Sequence, residues 1–434
     1  MHTFKNNLDQ IKFINYLICL FPLTFILGNF FINLNIILIC ISGYYFLGRN
    51  IFSLNNKVIQ FLIYFFFIYL ILITLTNNLQ FYLENNAFGE HILKSIYYLR
   101  FLIFFLVISK FVEKKYFNIK IFFFSAAIFS TVISFDILIQ FFSGKNLIGY
   151  PITLNRPSSF FNTENIAGGY LQRFILFLIF LIYLKKKKTN NSFLVFLFLI
   201  FLIPITLTAN RMPTVIYISS IFFYFLIEKK FKEIIIFFLI LFSLIFFLNK
   251  KFPNHKLNND FKSFSIETLN IISIAPKLFY HNNDDEIDKV KNKYLLIFNT
   301  GIQLWKEKKI FGHGIKAYRI KCESINKNFC TTHPHNFLIE ILIDVGLVGL
   351  VSIFSIFVIG AINFFNFYYK VKNINLRLIT SIFFLLVFFE FFPIRSTGSF
   401  FSTTNSAYIF LMLAIFINLK KLLLKENMKL KIKL

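Results

Sequence analysis

The chain has 434 residues, of which 57% are hydrophobic and only 15% charged, and its mean hydropathy is +0.68. A soluble domain of this length needs more polar surface than that, so most of the chain has a lipid bilayer as its solvent. The formal charge of +26 sits largely in short basic runs between apolar segments, which is positive-inside patterning and excludes nucleic acid as the natural partner.

A membrane span takes about 20 predominantly apolar residues. Twelve segments qualify: 13–29, 31–47, 58–76, 92–110, 117–142, 165–184, 192–209, 212–228, 233–249, 336–368, 375–392 and 405–420. The first lacks a small-residue cleavage site and runs into the second, so it reads as a signal anchor. Basic residues mark one side of the membrane: Lys5 and Lys12, Arg49 and Lys57, Lys110 to Lys120, Lys185 to Lys188, Lys229 to Lys232, and Lys370 to Arg377. The C-terminal lysines join them. An even number of spans with both termini cytoplasmic satisfies every short loop. The expected fold is therefore all-α, a polytopic membrane protein of about twelve transmembrane helices with one large periplasmic loop between helices nine and ten. Residues 1–249 hold the first nine spans, 250–335 form a periplasmic loop subdomain, 336–420 hold the last three, and 421–434 are a basic cytoplasmic tail.

Two outer connections stand out, 143–164 and 250–335. The first half of the longer one, through HNNDDE, has the composition of a disordered segment. In its second half Leu295, Ile302 and Trp305 repeat at helical spacing before a glycine stop, which predicts a helix lying flat on the membrane surface. Cys19 and Cys40 fall in apolar spans, whereas Cys322 and Cys330 fall outside the membrane, where an oxidising compartment permits a disulfide. The 67 Phe residues read as compositional drift alongside Ile, Asn and Lys, and lipid-facing positions absorb them.

The sharpest local pattern is TTHPHNFLIEILIDVGLVGL, residues 331–350. Thr332 or His333 is predicted to cap a helix with Pro334 in its first turn, leaving His335 at a helix N-terminus on the outer face. The dipole there attracts anions and disfavours imidazolium. A neutral histidine beside a phosphate suits a general base acting on a sugar hydroxyl, although an interfacial histidine near a helix end is also an ordinary polar residue. The helix running on to residue 368 would measure ~50 Å against a hydrocarbon core of ~30 Å, so Gly346 and Gly349 mark a bend or close packing. Glu340 and Asp344 lie one turn apart and read as bundle organisers, together with Glu390 and with Arg100 as ion-pair partner.

Arg156, Arg211, Arg319 and Arg395 sit on the outer side, where positive-inside patterning disfavours them. A lipid-linked pyrophosphate would account for them, because guanidinium meets phosphate oxygens in bidentate fashion; snorkelling to lipid headgroups is the plainer explanation. No P-loop, HExxH motif or paired acidic motif appears outside the membrane, so chemistry there is expected to use an already activated donor, with no metal and no cofactor.

These residues carry a resemblance. His335-Asn336, nine residues, Gly346, two residues and Gly349 fit the H-[N/S/Q]-x9-G-x-x-G pattern of O-antigen ligases at every specified position. The layout of spans and the long loop ending in the histidine resemble that family too. LWKEKKIFGHGIKAYR is similar to its tryptophan helix and Gly-x-Gly turn. Arg156, Phe161, Asn162 and Asn165 match its Arg…Phe-x-Asn-x-Asn element, and Arg211 its Ser-Arg turn. The chain departs from the pattern at Glu164, Asn210 and Met212-Pro213.

The resemblance implies transfer of a glycan from undecaprenyl pyrophosphate to lipid A-core or another acceptor glycan, at the periplasmic face of the bacterial inner membrane, in lipopolysaccharide assembly. It implies that His335 deprotonates or orients the acceptor hydroxyl and that Arg211, with Arg156 and Arg319, holds the pyrophosphate. His333, Asn336, Asn165, Gly346 and Gly349 support them. Alternatives are a Wzy-type O-antigen or exopolysaccharide polymerase and a small-solute transporter. The much longer second loop favours the ligase, and the lack of inverted halves disfavours the transporter. Reporter fusions after Lys188 and Lys229 are expected to read cytoplasm, and fusions at Asn162 and Asn283 periplasm. A cytoplasmic signal at Asn283 would invert the placement of the site.

Overall fold

The computed structural model describes residues 2–85, 90–153, 156–162, 164–185, 191–251, 293–326, 330–393, 395 and 398–431, with scattered positions between 259 and 273. The HNNDDE stretch lies outside the described residues. Among the described residues every regular element is helical, as expected where lipid offers the backbone no hydrogen-bond partner. Extended pairing is limited there to isolated bridges Lys145–Pro151 and Thr153–Arg156.

The helices are α1 (His2–Cys19), α2 (Phe21–Leu27), α3 (Asn29–Leu47), α4 (Lys57–Asn85), α5 (Glu90–Glu113), α6 (Ile119–Ser143), α7 (Ala167–Lys185), α8 (Asn191–Leu207), α9 (Arg211–Ile227) and α10 (Phe231–Lys251). The long loop contributes α11 (Lys293–Glu307) and α12 (Ala317–Ile325), and the chain ends with α13 (Phe337–Tyr368), α14 (Ile374–Glu390) and α15 (Thr403–Lys431). Among the described residues eight helices are long and apolar enough to cross a membrane, and α1 with α2, bent by 43°, would make a ninth. The expectation of twelve also needs α8, α9 and α14, each of 17 residues. Such helices reach ~25 Å, the short end of what a bilayer takes.

α15 packs along α5, and α7 along α6, around an aromatic-rich interior in which Phe104, Phe177, Tyr217 and Phe410 are fully buried. α10, in contrast, leaves Leu239, Phe242 and Phe246 more than 60% exposed. Large apolar side chains facing outward are costly in water but at home in lipid.

The buried charges are organised differently from the sequence reading. Arg100 does not pair with Glu340 or Asp344: its guanidinium donates to Tyr97 O and Thr403 Oγ1 and lies over the Phe101 ring. Glu390, at the end of α14, is instead gripped by two arginines. Arg173 of α7 donates to both its oxygens at 3.0 and 2.8 Å, and Arg395 reaches it at 2.7 Å. Arg395 is therefore only 4% exposed and is not a member of an open outer-face constellation. The reason is tertiary: packing brings α7 against α14, and a carboxylate so enclosed needs cationic partners. Arg173 also donates to Asn405 Oδ1, and its guanidinium lies over the Tyr408 ring. Glu390→Ala would leave two arginines buried without their counter-ion, at a cost of ~3–5 kcal/mol. Thermal unfolding of the purified protein in detergent is expected to show a clear loss of stability, and a wild-type transition would refute the structural weight given to the pair.

Candidate functional site

The site is built around a break in α13. Gly346 has φ +61° and ψ −166°, which no continuous helix accommodates. A break of this kind releases carbonyls on one side and N–H groups on the other. Four of the freed groups are taken up by the long loop. His313 N donates to Ile343 O and Gly314 N to Asp344 O, both at 2.8 Å, while Leu347 N and Val348 N donate to Lys309 O and Ile310 O at 3.0 and 3.2 Å. The fit is close enough to exclude side chains. A Cβ on Gly346 would lie 2.2 Å from Ile310 O, and one on Gly312 would lie 2.5 Å from Gly346 N. α4 secures the other edge of this loop, where Tyr69 donates to Phe311 O, Asn77 to Gly312 O, and Ile315 N to Thr74 Oγ1.

The same loop brings α11 and α12 onto the first turns of α13. Leu295, Ile297, Ile302 and Leu304 are buried with Tyr318, Cys322, Ile339 and Ile343. The sequence reading lays α11 flat on the membrane; in the structure its apolar face is covered by protein, because Ile339 and Ile343 offer a matching apolar stripe. Cys322 and Cys330 are joined in a disulfide, with Cα atoms 5.2 Å apart, tying α12 to the segment that enters the histidine turn.

Asn336, not Thr332 or His333, caps α13. Its backbone is extended, its side-chain oxygen accepts from Ile339 N at 3.1 Å, and its amide donates to Pro393 O at 2.7 Å. A cap needs that extended backbone together with a short acceptor side chain, and Asn336 supplies both. Pro334 thus precedes the helix instead of opening it. His335 occupies a left-handed conformation, φ +54°, immediately before the cap.

The two imidazoles meet, with ring centroids 4.1 Å apart, and Tyr294 of α11 stands edge-on to His335 at 5.9 Å. His333 Nδ1 lies 2.9 Å from Thr332 Oγ1, while its Nε2 is buried without a hydrogen-bond partner among the described residues. Burial first, then the charges of His335 and Lys316, push the His333 imidazole down to about 4, so it is neutral near pH 7. His313, in the loop seated on the helix break, is also depressed, chiefly by burial, and lies 2.9 Å from Leu304 O through Nε2.

Glu340 and Asp344 hold the walls of this site together. Asp344 accepts from the backbone of Lys316 and Ala317 at 2.7 and 3.1 Å. Glu340 accepts from Ser399 Oγ at 2.6 Å and from Phe400 N, and Lys316 Nζ donates to Ser399 Oγ at 2.7 Å. Lys316, Ser399 and Arg173 were not singled out from sequence. Lys316 follows a Gly-His-Gly turn, which hints at a special position, but nothing in the spacing announces Ser399 or Arg173.

Of the remaining predicted residues, Arg211, Asn165 and Arg156 lie on or beside α6, α7 and α9. Arg211 is the first residue of α9 and donates to Ser263 Oγ at 3.3 Å. The turn before it packs on the start of α7, where a Cβ on Gly168 would come 2.6 Å from Thr208 Oγ1 and 2.8 Å from Asn210 Cβ. Asn165, just ahead of α7, has a buried side-chain oxygen without a partner among the described residues. Arg156 is partly buried in a loop that Asp136 and Gln140 of α6 pin through Ser159. Arg319 is exposed on α12. Among the described residues no group of three or more His, Cys, Asp or Glu is placed to hold a metal ion.

Residues 194–354 match a family model described as O-antigen ligase. The matched stretch runs from α8 to just past the break in α13; it contains Arg211, Arg319, His333, His335, Asn336, Gly346 and Gly349, but not Arg156, Asn165 or Arg395. No curated protein matches the chain. The role of Gly346 is open to a direct check. Gly346→Ala meets both a left-handed backbone and the Ile310 carbonyl, and is expected to destabilise the protein by at least ~1–3 kcal/mol. Gly169→Ala, with open space around the added Cβ, is the control, and equal melting temperatures for the two variants in detergent would contradict the account of the break.

Proposed function

From the match of residues 194–354 to the O-antigen ligase family model we propose that the protein is a membrane glycosyltransferase moving a glycan from undecaprenyl pyrophosphate to an acceptor sugar, lipid A-core or another glycan. The reaction takes place at the periplasmic face of the inner membrane, in a chain of twelve spans with both termini cytoplasmic. The observation that carries this reading is the seat of His335, one residue before the Asn336 cap of α13 and packed against a second imidazole.

A histidine at that seat faces the positive end of the helix dipole, which favours its neutral form. Neutral imidazole takes the proton of the acceptor hydroxyl as the oxygen attacks the anomeric carbon of the donor sugar. The bond from that carbon to the pyrophosphate oxygen breaks, and the lipid pyrophosphate leaves with the electron pair. Arg211, helped by Arg156 and Arg319, neutralises the charge that develops on it. A polymerase would use the same groups on a lipid-linked acceptor, so both acceptor types belong in the assay.

His335→Ala is expected to leave expression and folding nearly unchanged, since the side chain is only partly buried. Transfer should fall by ~10²–10⁴-fold, the usual contribution of a general base. Arg211→Lys should also be severe, because an ammonium cannot make a bidentate phosphate contact. The measurement is transfer by purified protein from undecaprenyl-pyrophosphate-linked glycan to lipid A-core or to a second lipid-linked glycan. Wild-type activity in His335→Ala would remove the histidine from the mechanism.

A further inference from the structure

Two hydrogen-bond partners of opposite kind fix where a buried imidazole carries its proton. His313, only 3% exposed, is the middle residue of the Gly-His-Gly turn that covers the break in α13. Its Nε2 lies 2.9 Å from Leu304 O, and its Nδ1 lies 3.0 Å from Lys321 Nζ. A carbonyl can only accept and an ammonium can only donate. Nε2 therefore carries the hydrogen and Nδ1 offers its lone pair to Lys321. Both bonds exist together only while the ring is neutral.

We propose that the His313–Lys321 contact is an acid-sensitive latch on the segment 309–314, in which uptake of one proton by His313 turns a hydrogen bond into a repulsion and loosens the cover of the helix break. The proton comes from solvent, an N–H bond forms at Nδ1, and the lone pair that held Lys321 is consumed. Two cationic donors then face each other where one bond of 3.0 Å had been. The consequence reaches the backbone directly. His313 N and Gly314 N are the donors that take up Ile343 O and Asp344 O at the break, both at 2.8 Å. It reaches the neighbouring helices too, because the ring ties Leu304 of α11 to Lys321 of α12. The latch does not depend on the glycosyl-transfer reading, since its parts hold the loop whatever chemistry occurs at the histidine turn.

Among the described residues the charges acting on His313 are Lys321 from α12, Glu307 at the end of α11 and Lys308 just beyond it. Glu307 comes within 3.7 Å of Nε2 but is about half exposed, so water weakens what it would give an imidazolium. Lys308 donates to Asn77 of α4 and opposes protonation. From α13 comes Asp344, whose carboxylate is occupied by the backbone of Lys316 and Ala317. Tyr69 of α4 and His91 of α5 meet the loop at the carbonyls of Phe311 and Ile315. Burial is the largest influence and disfavours the imidazolium; the Leu304 carbonyl favours it, and Lys321 disfavours it again. A base held neutral in this way binds fewer protons in the closed loop than in the open one. The closed loop is thus fully stable above the ordinary imidazole value of ~6.5 and loses stability as pH falls below it.

The test is hydrogen exchange on full-length protein in detergent, read as protection factors so that the intrinsic pH dependence of exchange cancels. In wild type the amides of residues 312–314 should lose at least ~3-fold in protection between pH 7.5 and 5.0. His313→Gln carries an amide that both donates and accepts but does not titrate, and it should hold its protection across that range; His313→Asn is the second such variant should Gln fail to pack. Lys321→Met keeps the imidazole and removes the opposing charge. The 15N signal of His313, assigned by its loss in His313→Gln or His313→Asn, should then titrate at higher pH than in wild type. Constant protection in wild type, or an equal loss in wild type and the non-titrating variant, overturns the latch. An unchanged His313 titration in Lys321→Met overturns the contact on which it rests.

Discussion

A helix that breaks inside apolar surroundings leaves backbone groups with nowhere to go, and lipid cannot accept them. The break at Gly346 has this problem, and the answer is the segment 309–314, which bonds the two carbonyls before the break and the two N–H groups after it. Non-helical backbone is tolerated at such depth only where protein covers it. The long loop is therefore structural before it is anything else. Its docking on α13 and α4 fixes where α11 and α12 lie, and through them where the chain re-enters at the histidine turn.

Around that junction runs a continuous set of polar contacts. Asp344 holds the backbone at Lys316, Lys316 reaches Ser399, and Ser399 donates to Glu340. Asn405 donates to the carbonyl of Ser399 and accepts from Arg173, which meets Arg395 on Glu390. Each ionised group has a partner, as burial demands. The network joins the loop to α7, α13, α14 and α15. A partly satisfied network in the same place would cost more than apolar packing.

The division of labour within the motif is equally physical. Asn336 caps the helix and ties it to Pro393. Gly346 supplies the left-handed break, and Gly349 leaves room for Val345 of the preceding turn. Architectural needs thus account for three of the four specified positions. The fourth position, His335, packs its ring against Tyr294 and His333, and His333 carries a buried nitrogen without a hydrogen-bond partner among the described residues.

The sequence by itself determined the class of the molecule. Composition and apolar run length demand helices in lipid, and each of the twelve apolar segments falls on helix among the described residues. It also marked the histidine turn and the glycines, because special backbone conformations narrow the choice of residue. Only the tertiary structure decided who partners whom. Arg395 read as an outer-face phosphate ligand until packing placed it on Glu390 beside Arg173, which is 217 residues from that carboxylate along the chain. The cap fell to Asn336 because its backbone is extended there and its side-chain oxygen accepts from Ile339 N, while its amide reaches Pro393 O. The seat of α11 followed from an apolar stripe on α13 that covers it. Local sequence carries backbone preference and burial, whereas ion pairs, caps and docked loops depend on distances between segments that no local pattern records.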